Sequence, residues 1–311
     1  MAIKVISYFS YKGGAGRSTL AYNTIPLLAR NHLCPTKEAP VVLVDMDIDS
    51  CGMSYLLDVE NSAIKEDACV QYVLREGCNS SRTEKISDHA TLGKLIPVGN
   101  KLGYPINEAI LFLPAKDVKN VDTDGGSNYS DANSPFLRGL RSFIDVCEEY
   151  NVPAVIFDSA VGNQATANVA NQLADVVVCC MRPTTQFVDG TARFLESLDS
   201  DSGSPWGGGQ KKIVLVPNVV PQERVIIDNQ SYPEYAVARM GIRLRHILAN
   251  RDEDDDIIYN TEMLDVNAFG IPAVKSFMWR EGQLATQAEL NENEQLVLER
   301  YKKLAAIIDS L

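Results

Sequence analysis

The sequence predicts a doubly wound α/β fold, in which helices flank a mostly parallel sheet. Three observations predict it. Short apolar runs, typical of strands buried on both faces, alternate with amphipathic helical patterns along the chain. A glycine-rich loop joins the first such strand to the first helix. Later strands end in Asp or are followed by Asn, which gathers polar side chains at one edge of the sheet, where ligands of such folds bind.

Strands are expected where the chain is nearly continuous in Val, Ile and Leu. They are residues 3–9, 41–45, 110–114, 154–158, 175–181 and 213–216, with a weaker candidate at 271–274. Helical patterns lie between them, at 18–30, 136–150, 187–198, 233–249 and 287–311. This alternation favours parallel strands with right-handed crossovers.

The chain is expected to form a single domain spanning residues 1–311. Three polar stretches, 122–134, 199–210 and 251–256, are interpreted as loops too short to link domains. The region 61–101 carries no readable pattern, and we interpret it as a candidate insertion on the core fold.

Composition excludes several classes of protein. The 311 residues are 45% apolar and 23% charged, which is typical of a globular chain rather than a disordered one. Lys and Arg number 29 against 41 Asp and Glu, and the net charge of −12 argues against a protein that coats nucleic acid with its whole surface. Seven Cys and three His show no zinc spacing, which favours free thiols in a reducing cytosol. The longest apolar run, 176–181, is too short to span a bilayer, so we expect a soluble cytoplasmic protein.

The most informative segment is residues 11–19, Tyr-Lys-Gly-Gly-Ala-Gly-Arg-Ser-Thr, between the first strand and the first helix. Its three glycines let the backbone turn tightly and aim N–H groups inward, and the helix adds its positive end. This context is typical of a phosphate-binding loop, in which the hydroxyl of Ser18 would face Mg²⁺. Arg17 stands where such loops usually carry Lys. The alternative is a strand–helix turn without a ligand.

The loop resembles the deviant Walker A motif, K-G-G-x-G-K-[ST]-[ST], of the ParA/MinD family of P-loop ATPases. The matching residues are Lys12, Gly13, Gly14, Gly16, Ser18 and Thr19. The resemblance implies a site for ATP and Mg²⁺, and it assigns phosphate binding to Gly13, Gly14, Ala15, Gly16, Arg17, Ser18 and Thr19. It also implies that Lys12 reaches across a dimer interface to the phosphates of the partner, and it makes Lys12 and Arg17 catalytic together with Asp47.

Carboxylates follow two other strands. Asp45 and Asp47 come at the end of strand 41–45, and Asp158 ends strand 154–158. By resemblance Asp47 orients the attacking water, Asp158 binds Mg²⁺ through water alongside Ser18, and Asp45 lies near the metal. A strand-end cap is the alternative for Asp45.

The resemblance also suggests where the adenine base binds. Pro217 and Asn218 follow strand 213–216, and the family places a base-contacting residue at the latter position. The amide of Asn218 offers both a donor and an acceptor to the adenine edge.

The resemblance implies a switch ATPase that dimerises with ATP and separates on hydrolysis, stimulated by a protein partner. Such a protein positions or segregates a cargo, either DNA or a protein assembly. The alternative is a non-hydrolysing ATP-binding scaffold that regulates a protein partner. Arg17 is compatible with this alternative, because its planar guanidinium group replaces the compact ammonium group of the usual lysine.

Two surfaces each allow two interpretations. Arg239 and Arg243 lie four residues apart on the helix 233–249, either as a contact for non-specific DNA in the dimer or as a solvated face.

The C-terminal helix has an apolar stripe formed by Val297, Tyr301, Leu304, Ile308 and Leu311. We favour packing of this stripe on the core over membrane binding, because a membrane helix would be richer in Lys and Arg.

Overall fold

The structure is a computed structural model that describes residues 3–79, 92–116, 135–198, 210–221, 226–227, 230–249, 257–264, 270–278 and 282–311. The expected loops 122–134 and 251–256, and all of 199–210 except its last residue, lie outside these residues.

The strands and helices are numbered in chain order. The strands are β1 (Lys4–Ser10), β2 (Val41–Asp45), β3 (Ile96–Pro97), β4 (Ile110–Leu113), β5 (Ala154–Val161), β6 (Val176–Met181), β7 (Lys211–Pro217), β8 (Ile226–Ile227), β9 (Gln230–Ser231) and β10 (Ile257–Asn260). The α-helices are α1 (Arg17–Leu28), α2 (Gly52–Leu56), α3 (Val70–Asn79), α4 (Pro135–Glu149), α5 (Ala165–Leu173), α6 (Thr185–Leu198), α7 (Tyr232–Ala249) and α8 (Glu292–Ser310).

One eight-stranded sheet organises the fold, in the order β10-β7-β6-β1-β5-β2-β4-β3. All neighbouring strands pair in parallel except the short edge strand β3, which is antiparallel to β4. The doubly wound, mostly parallel fold expected from the sequence is therefore confirmed. Since β1 lies between β5 and β6, the loop after β1 opens at the same edge as the ends of β2, β5 and β7.

Two hydrophobic cores lie on opposite faces of the sheet. Successive residues of a strand enter different cores: Val42 packs with α4, whereas Leu43 packs with α1 and α8. Both residues are fully buried, as in strands that are covered on both faces. This double burial explains why the sequence shows continuous apolar runs instead of alternation.

Most of the expected elements are present, with shifted ends. The helix expected from residue 287 begins at Glu292, because Asn291 and Glu294 form a capping box that fixes the start. The strand expected at 271–274 was wrong. That segment makes an isolated bridge between Val220 and Pro272, and Pro272 has no N–H with which to continue a ladder.

The region 61–101 contributes elements that the sequence pattern did not show. Its helix α3 packs along α4, with Val70, Val73 and Leu74 in the same core as α4. Its strand β3 extends the main sheet at one edge. The described parts of this region are therefore integrated into the fold, and its status as an insertion stays a prediction.

Helix α8 confirms the core-packing interpretation of the C-terminal stripe. Val297, Leu304 and Ile308 have no exposed surface, Tyr301 is almost fully buried, and the helix lies against α1. Within the described ranges, no helix is long and apolar enough to cross a membrane. No disulfide bond forms among the cysteines whose side chains are described, namely Cys34, Cys51, Cys69, Cys147, Cys179 and Cys180.

Candidate functional site

The loop between β1 and α1 has the backbone of an anion cradle. Gly14 and Gly16 have φ angles of 80° and 79°, in the left-handed region that favours glycine. Helix α1 begins directly after, at Arg17, so its first unpaired N–H groups open into the loop. A Cβ atom at Gly16 would lie 2.8 Å from Nδ2 of Asn218, which makes glycine necessary there for a second reason.

Side chains from two neighbouring strands hold this loop from outside. Nδ2 of Asn218, which follows β7, donates to the carbonyl oxygens of Ala15 at 2.9 Å and Gly16 at 3.3 Å. The thiol of Cys180, in β6, donates to the same oxygen of Ala15 at 3.3 Å. Pro217 lies next to Asn218 and accepts a hydrogen bond from the backbone N–H of Ile271 at 2.8 Å. The end of β7 therefore supports the loop.

Arg17 brings three of the predicted site residues together. Its Nε donates to Oδ1 of Asp158 at 2.8 Å, and its Nη2 donates to Oδ2 of Asp47 at 2.9 Å and to Oγ of Ser18 at 3.3 Å. The residue is only 6% exposed. Burial disfavours its charge, but the charge of Asp158 and the hydrogen bond to Asp47 outweigh this effect and raise the pKa of Arg17.

Asp158 is fully buried at the end of β5. Burial raises its pKa above the usual value, and the charge of Arg17 opposes this effect. Its Oδ1 atom binds Arg17, while its Oδ2 atom is buried without a hydrogen-bond partner in the described part of the chain. This oxygen is therefore free to bind a ligand.

Asp45 stabilises the turn after β2 through hydrogen bonds. Its Oδ2 accepts hydrogen bonds from the backbone N–H of Ser54 at 3.0 Å and from Oγ of Ser54 at 2.9 Å, and its Oδ1 accepts from the N–H of Asp47 at 3.3 Å. Burial, followed by the charge of Asp158, raises the pKa of Asp45 to about 8. The structure therefore places Asp45 beside the site, with its oxygens already bound to protein groups.

The remaining donor atoms suit a Mg²⁺ ion. Oγ of Ser18 and the unpartnered Oδ2 of Asp158 are a hydroxyl and a carboxylate oxygen, the hard ligands that Mg²⁺ prefers. A Cβ atom on Gly52 would approach Oγ of Ser18 to 3.1 Å, so glycine keeps that side open. No group of three or more His, Cys, Asp or Glu in the described ranges could hold a metal. An ion here therefore depends on phosphate and water for its other ligands.

Lys12 lies beside α6. Its side chain is half-buried and makes no hydrogen bond or ion pair with another described residue. The ring of Tyr11 stacks on Phe194 with 5.5 Å between ring centroids. A Cβ atom on Gly190 would lie 2.9 Å from the Tyr11 ring and 3.8 Å from Cε of Lys12, so the loop closely approaches this helix.

Comparisons with known proteins agree on the architecture. No protein-family model and no curated protein matches the chain. Among solved structures, McdA of Cyanothece in complex with ATP has 13% identity and a TM-score of 0.62, over 98% of this chain and 96% of that one. A ParA family ATPase from Chlorobium tepidum has 12% identity and a TM-score of 0.58, over 98% and 99%. The pNOB8 ParA bound to nonspecific DNA has 16% identity and a TM-score of 0.56, over 99% and 96%.

The chain has the fold of the ParA family ATPases. The fold expected from the resemblance of the loop is therefore confirmed. At these identities the likeness concerns the fold, so the chemistry has to be argued from the side chains of this chain.

Arg239 and Arg243 line a pocket of about 180 Å³ between α6 and α7. Nη1 of Arg239 donates to the hydroxyl of Tyr235 at 3.1 Å. Nε of Arg243 is 3.4 Å from Oδ1 of Asp189. Both side chains are exposed, so they are available to a partner at this surface.

Sequence reasoning missed several residues of this candidate site. Ser54 gives no sequence signal, because a serine in a short helix is common. Cys180 lies in the apolar run of β6 and is buried, so the sequence gives no sign that its thiol also supports the loop. Gly52 and Gly190 are lone glycines in helices, and such a glycine often marks a close approach of the backbone to other atoms.

Proposed function

We propose that this chain is a switch ATPase of the ParA/MinD type, which dimerises with ATP and uses hydrolysis to position or segregate a cargo. One observation carries the proposal. A glycine loop at the start of α1 lies beside a buried cluster in which Arg17 binds Ser18, Asp47 and Asp158. Anion-binding amides next to carboxylates are what phosphoryl transfer from a nucleotide requires.

The residues of the chain have separate roles in this proposal. The N–H groups of residues 13–19 bind the phosphates, with Arg17 adding a positive charge. Ser18 and Asp158 would hold a Mg²⁺ ion, which would supply positive charge next to the transferred phosphoryl group. Asp47 orients the attacking water. Asp45, whose raised pKa keeps it mainly protonated at neutral pH, supports the turn that carries Asp47.

Base recognition falls to the end of β7. Because Nδ2 of Asn218 is bound to the loop, its Oδ1 is the atom we assign to the amino group of adenine. Pro217 forms the adjoining wall. This assignment ties base recognition to the position of the phosphate loop.

Dimerisation is assigned to Lys12. Its half-buried position beside α6, with no partner in the described chain, is compatible with a lysine that finds its counter-charge on the phosphates of a second subunit. ATP would then act as part of the interface, and a protein partner would stimulate its hydrolysis.

Arg239 and Arg243 are the residues that we assign to a DNA cargo. Their exposed guanidinium groups on α7 suit sequence-independent contacts with phosphates. If they bind DNA, replacing both with Ala will weaken ATP-dependent binding in an anisotropy titration and reduce its salt dependence. Unchanged DNA binding would leave a protein assembly as the cargo.

A second function is favoured by one contact. Arg17 holds Oδ2 of Asp47, the acid that would have to orient water. If this contact persists with ATP bound, the chain is a non-hydrolysing ATP-binding scaffold that regulates a protein partner.

Light scattering with ATP and Mg²⁺ or with ADP, combined with a phosphate-release assay, separates the two functions. The switch predicts a dimer only with ATP, slow phosphate release, and loss of the dimer in Lys12→Ala. The exposed Lys37→Ala is the matched control and should behave as wild type. A molar mass that is the same with ATP and with ADP, together with no release of phosphate, would support the scaffold.

A further inference from the structure

The guanidinium of Arg17 occupies the space between two acids that would otherwise attract a metal. It lies 2.8 Å from Asp158 and 2.9 Å from Asp47, and all three side chains are buried. Two of its three nitrogens are used in these contacts. The third, Nη1, is buried and has no hydrogen-bond partner in the described residues.

This arrangement lowers the attraction of the site for a divalent ion. The positive charge of Arg17 offsets one of the two carboxylates, and it also repels a cation placed next to them. A lysine at the same position could not do this as well, because its ammonium is a single point charge that cannot bridge both acids in a fixed geometry.

The unpartnered Nη1 atom of Arg17 indicates that a ligand binds there. Its N–H donors are buried without an acceptor, which is unfavourable unless something binds them. A phosphate oxygen is the complement of a guanidinium edge, and the anion-binding loop is formed by the residues directly before Arg17.

We propose that Arg17 is a built-in cation of the nucleotide site, which takes over part of the role of Mg²⁺ so that nucleotide binds with little dependence on divalent metal. The inference rests on the proposed function, since it presumes that the loop binds nucleotide. It adds that one side chain binds the phosphates through Nη1 while it holds Asp47 and Asp158 through its other nitrogens.

The test is a calorimetric titration with ADP, in Mg²⁺ and in EDTA. For the wild type we expect the Kd to change by about threefold or less when the metal is removed, because the guanidinium remains in place. For Arg17→Lys, which frees at least one acid, we expect a change of about tenfold or more. Arg193→Lys, an exposed arginine on α6, is the matched control and should follow the wild type.

A second measurement uses the metal alone. Titration of nucleotide-free protein with Mn²⁺, followed by electron paramagnetic resonance, should show weaker binding to the wild type than to Arg17→Lys, and the loss of that binding in an Arg17→Lys/Asp158→Asn double variant. Circular dichroism checks that each variant folds. The metal dependence of the wild type tests the inference even if Arg17→Lys does not fold.

The outcomes separate this inference from the proposed function. If the wild type binds ADP in Mg²⁺ and loses about tenfold or more in EDTA, the inference is overturned and the proposed function stands. If the wild type binds no nucleotide in either condition, both are overturned.

Discussion

Asn218 and Ala15 are 203 positions apart in the chain, yet Nδ2 of Asn218 lies 2.9 Å from the carbonyl oxygen of Ala15. The contact joins the end of β7 to the middle of the loop between β1 and α1. Because Asn218 is 5% exposed, water cannot readily replace this hydrogen bond. The shape of the loop is therefore set partly by a residue outside it.

Asn218→Ala should weaken nucleotide binding more than it weakens the fold. Removing a buried hydrogen-bonded side chain costs about 1–3 kcal/mol of unfolding free energy. Here the change removes both hydrogen bonds from Nδ2 to the loop, so it also releases the loop. Asn168→Ala is the control, because Nδ2 of Asn168 also donates to a backbone carbonyl, that of Asn163, and makes no hydrogen bond to residues 11–19. Urea unfolding and ADP titration of both variants check the prediction. Equal ADP affinity in the two would contradict it.

Gly16→Ala should destabilise the protein and abolish nucleotide binding. A left-handed conformation costs a residue with a Cβ atom about 1–2 kcal/mol, and the new methyl group would also collide with Asn218. Gly13→Ala provides the comparison for stability, since a Cβ there meets nothing within 4 Å and its φ is not positive. Thermal unfolding measures the difference. Equal melting temperatures of the two variants would show that residue 16 does not adopt the left-handed conformation in solution.

Asp47→Asn should reduce phosphate release by about 10²-fold or more if Asp47 orients the attacking water. The amide keeps the shape of the side chain but loses the charge that binds Arg17 and polarises water. Asp49→Asn, two residues further on and exposed, should retain the wild-type rate. A single-turnover assay with saturating ATP makes the comparison. Equal rates for Asp47→Asn and wild type would remove Asp47 from the mechanism.

Stability should fall as pH rises from about 4 to 8 through the titration of Asp45. Its pKa of about 8 in the folded state lies above the value of 3.8 expected in the unfolded chain. The folded state therefore binds a proton that the unfolded state has released, so the free energy of unfolding decreases across this window. Asp45→Asn should flatten this part of the pH profile, measured by urea unfolding at several pH values, and Asp49→Asn should leave it unchanged. An unchanged profile in Asp45→Asn would show that Asp45 is ionised in the folded protein.

Leu304→Ala should cost about 2–5 kcal/mol of unfolding free energy, because Leu304 is fully buried between α8 and the core. Leu296→Ala, on the same helix but 40% exposed, should change it by about 0.5 kcal/mol or less. Chemical unfolding distinguishes the two. Equal effects would mean that α8 does not pack on the core in solution.

The fold could be predicted from the sequence because its strongest signals are local. Strand β2 is continuous in apolar residues and fully buried, and its predicted and observed bounds coincide. Edge elements were missed because their stability comes from neighbours: β3 has two residues, and β10 lies at the edge of the described sheet, beside β7.

The candidate site was predictable in its residue types but not in its contacts. Glycines and carboxylates at strand ends predict a phosphate site, and the structure places Ser18, Asp47 and Asp158 together around Arg17. No pattern could show that Arg17 binds both acids, because that contact depends on side-chain packing between β2 and β5. The orientation of Asp45 toward Ser54 has the same origin.

The approach of Tyr11 to Gly190 has a consequence for how such proteins evolve. The ring lies where any side chain at position 190 would have to be. If the loop binds phosphate as proposed, selection for that binding also acts on a helix far along the chain, where a point mutation from glycine would displace the ring and, with it, the neighbouring Lys12. A substitution of Gly190 would then abolish the proposed nucleotide binding although the sequence of the loop itself is unchanged.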